Sequence, residues 1–149
     1  MVRNEHSVVI NRPIDEVFAY VDDPDTAPQW QGSVLESRQT SEGPVGVGTT
    51  GEVVVQFLGR RFESTWEVTE HQPNEKSVLR STSGPVPFKQ FATLESVEGG
   101  TKIDFVFEAE PGGFFKLAEP LLAPIGQRQI ETDAATLKAL LEAQAEGSA

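Results

Sequence analysis

The sequence contains no cysteine, which removes disulfides, thiolate nucleophiles and sulfur metal ligands together. Its only two histidines are His6 and His71, and they share no ligand-like spacing. A metal needs three or four donors in a defined geometry, so no metal and no other cofactor is expected. Positive charge is also scarce: 12 Lys and Arg stand against 23 Asp and Glu, a net charge of −11. Such a chain repels phosphate backbones and has no basic stripe to offset that, so nucleic acid is not an expected partner. Anionic membrane surfaces are disfavoured for the same reason. No apolar run approaches the roughly 20 residues that a spanning helix needs, and stable membrane insertion is not expected. No charged-then-apolar leader is visible. Together with the missing cysteine this suits a reducing cytoplasm.

What remains is a chain of 149 residues, the usual size of one domain. A domain of that length buries roughly 68–70% of its unfolded surface. A single domain over 1–149 is expected, with 146–149 as a frayed tail. Val8 to Ile10 is a β-branched run and reads as a strand. Pro13 follows, with Asp15 and Glu16 in the first turn of a helix. Ile14, Val17, Phe18 and Val21 form its apolar stripe. Asp23-Pro24 repeats the start signal and opens a second short helix that stops near Trp30.

From Ser33 the period falls to two. Segments 33–40, 49–58, 61–71, 77–83, 88–97 and 101–110 read as strands between Gly- and Pro-rich turns, with Gly99-Gly100 as a hairpin signal. Phe62, Ser64, Trp66 and Val68 share one face; so do Ile103, Phe105 and Phe107. The pattern is antiparallel sheet with one wet and one dry face. After Pro111 the period is helical, with one stripe at Phe114, Leu117, Leu121 and Ile125 and another at Ile130, Ala134, Leu137 and Leu141. Pro120, Pro124 and Gly126 predict a break near 120–126, followed by a long helix to about Gln144. Strands in a run with helices at the ends give an α+β class. The expected architecture is a curved seven-stranded antiparallel sheet wrapped around the long C-terminal helix, with two short helices between strands 1 and 2.

The stretches "RPIDEVFAYVDDPDTAPQW", "GRRFESTWEVTEHQPNE", "SGPVPF", "EGGTKIDFVFE" and "LKALLE" resemble, in this order, the START-like helix-grip superfamily (birch-pollen-allergen-like, SRPBCC). The similarity is to its bacterial polyketide cyclase/dehydrase and lipid-transport-like branch and covers about residues 4–144. It implies an apolar cavity between sheet and long helix, closed at one end by the short helices.

Several motifs carry less. Gly46-Val47-Gly48-Thr49-Thr50-Gly51 matches G-x-G-x-x-G, but a dinucleotide fingerprint needs a helix next, and here the strand-like "EVVVQF" follows. Neither histidine stands beside a nucleophile elbow. The cavity candidates are aromatic or apolar residues on the dry phases, Trp30, Trp66, Phe88, Phe105, Phe107, Leu121 and Ile125, and polar residues that phase with apolar ones, Glu52, Gln56, Arg80 and Gln90. If buried, these last must find partners. Arg128 and Gln129 are further candidates on the long helix.

The resemblance implies binding of a small hydrophobic molecule: a lipid, polyketide, aromatic or isoprenoid. A second reading is a cofactor-independent polyketide cyclase/dehydratase, whose acid–base work would fall to Glu52, Arg80 or a bound water. A third is a protein-interaction or chaperone-assisting module, which requires a collapsed cavity and an exposed apolar patch. Monomer and homodimer are equally compatible with the sequence.

Overall fold

Alternating side chains and well-placed turn residues give seven antiparallel strands. They are β1 (Val2–Ile10), β2 (Val34–Gln39), β3 (Thr50–Phe57), β4 (Arg60–Gln72), β5 (Lys76–Ser83), β6 (Phe88–Val97) and β7 (Gly100–Ala109). The computed structural model describes residues 1–112 and 114–147. The strands form one sheet in the order β1-β7-β6-β5-β4-β3-β2. Every neighbour is also a neighbour in sequence except β1, which pairs with β7 from Val2↔Ala109 to Ile10↔Thr101. The β2–β3 pairing shifts register between Val34 and Glu36, and the β4–β5 pairing between Thr65 and Trp66 and between Val68 and Glu70; bulges of this kind add a residue to one strand and bend it. One glycine is required by packing. A Cβ on Gly51 would stand 2.0 Å from Trp66 Cζ2, so only glycine lets the indole lie across β3.

β1 is longer than its apolar run, Val8 to Ile10. Its inward face begins at Val2 and includes Asn4, which is buried. A polar residue on the dry phase conceals the first half of the strand from its alternation.

The detour between β1 and β2 holds α1 (Ile14–Asp22), a 3-10 turn (Pro24–Thr26) and α2 (Ala27–Trp30). Asp23 caps the turn, its carboxylate accepting the Asp25 N–H at 3.0 Å; Pro24 then occupies a position that needs no donor. Val17 and Phe18 of α1 are buried.

At the other end come α3 (Phe114–Leu117) and α4 (Glu119–Gly147). The expected break near 120–126 is absent, because α4 runs unbroken through Pro124. Pro120 lies in its first turn, where the missing N–H forfeits no bond. Gly126 marks a close approach instead: a Cβ there would meet Asn4 Oδ1 at 2.5 Å. The expected fraying over 146–149 falls partly outside the described residues; α4 itself extends to Gly147.

The core lies under one half of α4. Ala134, Leu137 and Leu141 pack with Ile10, Val17, Phe18, Leu94, Ile103 and Phe105. Arg12 donates to the Leu141 carbonyl at 2.7 Å, and Lys138 to the Val9 carbonyl at 2.6 Å. The architecture is the helix-grip α+β arrangement, a curved sheet holding one long helix.

Candidate ligand cavity

The other half of α4 does not close onto the sheet. Between them lies a partly open cavity of about 310 Å³. Two aromatic pairs build much of its wall. Trp30 leans on Phe105 with ring centroids 5.5 Å apart, and Phe88 stacks on Phe107 at 5.8 Å. Trp66, seated over Gly51, adds a third side with Val53 and Val68. α4 contributes Leu122, Gly126, Gln129, Ile130 and Asp133, one helical face with polar members.

Polar side chains also line it, and several of them are already held. Asn4 donates to the Ala123 carbonyl at 2.9 Å. Asp133 Oδ1 accepts the Gly32 N–H at 3.0 Å and the Gln129 amide at 2.7 Å. Burial pushes the Asp133 carboxyl above the usual carboxylate range, against the opposing pull of those two donors. Asp22, where α1 ends, bonds His71 Nε2 at 2.8 Å, and Phe18 meets the imidazole edge-on at 5.5 Å. This pair ties α1 to the β4–β5 hairpin at the cavity's end. The Trp30 indole N–H is buried and has no hydrogen-bond partner among the described residues.

Of the residues singled out in the sequence, Trp30, Trp66, Phe88, Gln90, Phe105 and Phe107 line this space, as does Gln129. Five others do not. Glu52 and Gln56 occupy the outer phase of β3, since Val53, Val55 and Phe57 take the inner one; Glu52 pairs with Arg38 outside. Arg80 is exposed and pairs with Glu67 at 3.5 Å, leaving the inner phase of β5 to Ser77 and Leu79. Leu121 is 59% exposed, and Ile125 is half-buried outside the lining. Both are one position out of phase, Leu122 being the buried residue. Arg128 is exposed. The Gly46–Gly51 run leads into β3 and not into a helix.

Asn4, Asp22, Ser77 and Asp133 join the lining without a signal in the apolar pattern. Asp133 is detectable in principle, because 122, 126, 129, 130, 133 and 137 fall at steps of four, three, one, three and four. That stripe is hidden when only apolar residues are counted.

A family model described as polyketide cyclase/dehydrase and lipid transport matches residues 1–142. The chain belongs to that family. No curated protein matches the sequence. Among solved structures, a protein from Thermus thermophilus superposes with a TM-score of 0.81 at 16% identity, over 95% of this chain and 98% of that one. A START superfamily protein from Mycobacterium smegmatis gives 0.78 at 15%, over 95% and 98%. An aromatase/cyclase from a Streptomyces species gives 0.75 at 15%, over 94% and 93%. At these identities the likeness is one of fold. Family and fold together give a hydrophobic ligand-binding architecture.

Proposed function

We propose that the protein binds one small apolar molecule, about the size of two fused rings, between the sheet and α4. The observation that carries this is the open space of about 310 Å³ walled by Trp30, Trp66, Phe88, Phe105 and Phe107. That volume is at the lower end of ordinary ligand pockets, which begin near ~300 Å³. It is about twice the ~150 Å³ void that takes up benzene. The size favours an aromatic, a short polyketide or a short isoprenoid over a long acyl chain. Burying about 200 Å² of apolar ligand surface contributes roughly 5 kcal/mol at ~25 cal/mol per Å², before the cost of immobilising the ligand. A hydrogen-bond acceptor on the ligand would give the Trp30 indole N–H the partner it lacks among the described residues.

The cyclase reading loses the residues assigned to its acid–base work, since Glu52 and Arg80 lie on the outer face. The protein-interaction reading requires a collapsed cavity, and this one is open. Binding is therefore the reading favoured by the geometry.

The test has two arms. Native mass spectrometry of the freshly purified protein would reveal a stoichiometric apolar passenger and its mass. Titration with 2-naphthylmethanol would quench or shift tryptophan emission saturably. A clean apo mass together with no saturable response would sink the proposal.

A further inference from the structure

The charges around this cavity are one-sided, and that bears on which apolar molecules it takes; the point rests on the binding reading above. All 12 Lys and Arg lie within the described residues, and none of them lines the cavity. Neither His6 nor His71 does. Cations near the sheet are directed outward: Arg3 pairs with Glu5, Arg38 with Glu52, Lys76 with Glu70 and Arg80 with Glu67. The lining does include three carboxylates, Asp22, Asp23 and Asp133. The His71 imidazole is engaged with Asp22 through its Nε2. Both donors to Asp133 converge on Oδ1, leaving Oδ2 without a protein donor among the described residues.

We infer that the cavity accepts neutral or basic apolar molecules and rejects anionic ones, carboxylates and phosphates alike. An anion entering here gives up its hydration and meets no cation in return, the condition under which burial of a charge is most costly. It also stands beside the like charges of Asp22, Asp23 and Asp133, which repel it. An ammonium-bearing ligand meets the opposite situation. Its charge relieves the half-buried Asp133 carboxylate, whose ionised form is disfavoured by desolvation. A hydroxyl or carbonyl ligand is neither helped nor penalised by the field.

Three naphthalene probes with one ring system separate these cases at neutral pH: 2-naphthylmethanol, 2-naphthylmethylamine and 2-naphthoate, titrated by calorimetry or tryptophan fluorescence. The alcohol and the amine are expected to bind, and naphthoate at least about ten-fold more weakly, one decade for each ~1.4 kcal/mol of discrimination. In Asp133→Asn, which keeps an acceptor for Gly32 and Gln129, the amine should lose affinity relative to the alcohol and naphthoate should gain. Naphthoate binding as tightly as the alcohol in the wild-type protein overturns the inference while leaving the cavity reading intact. Failure of all three probes overturns both.

Discussion

Asp133 is a carboxyl that the fold holds at a cost. Its folded pKa lies above the ordinary aspartate value, burial being the largest cause. A raised acid binds its proton more tightly when folded than when unfolded, so stability falls as pH rises through that region. The penalty is absent below the unfolded pKa and complete above the folded one. Asp133→Asn removes it. In the apo protein this variant is expected to melt higher than wild type at pH 7, with the advantage shrinking as pH falls toward about 4, the ordinary aspartate range. Melting curves at several pH values check this; an advantage that grew on acidification would contradict the sign. Glu142 is the reverse case. Hydrogen bonds from Lys138 and the Asn11 N–H hold it below its usual range, so its contribution is present at neutral pH and lost in acid.

At the scale of elements, α4 is two helices in one. Its C-terminal half fills the core: Leu137 is fully buried, and Leu137→Ala should cost about 2–5 kcal/mol. Its N-terminal half faces open space. Leu122→Ala should cost less than half as much, because it enlarges a void that already exists and strips fewer contacts. Denaturant titrations of the two variants compare them directly; equal losses would mean that the first half is packed like the second. This division also decides what the sequence can reveal. Where side chains pack, as at Ala134, Leu137 and Leu141, apolar spacing reports the buried face. Where they surround a cavity, Gly126, Gln129 and Asp133 take the inward positions, and the apolar stripe drawn through Leu121 and Ile125 misses by one. The strands are more legible, because alternation survives in "TKIDFVFEA". β3 is the exception, since three successive valines leave both phases apolar and give no sign that Gln56 faces out. The same helix also shields the free edge of β1. Gln127 accepts the Glu5 N–H at 3.3 Å and donates to the Glu5 carbonyl at 2.7 Å, while Lys138 takes the Val9 carbonyl. An edge so occupied offers less to a second sheet.

For the whole molecule, the cavity is stability left unclaimed. Ala92 lines it from β6, and Ala92→Leu would place apolar atoms in the space at roughly 0.8 kcal/mol per buried methylene. The expected outcome is a melting temperature raised by a few degrees, at about 2–4 °C per kcal/mol for this size, with affinity for 2-naphthylmethanol strongly reduced. Retained affinity with a lowered melting temperature would show that the probe sits elsewhere. The pairing of β1 with β7 has a consequence in time. Val2 and Asn4, on one wall of the cavity, are brought into place only when β1 meets a strand about a hundred residues further along. Contacts of such separation are entropically late and make folding slow. During synthesis β1 leaves the ribosome long before β7 exists, so its unpaired backbone must wait. By this topology the cavity is expected to form late in folding, so that a ligand stabilises a nearly complete chain.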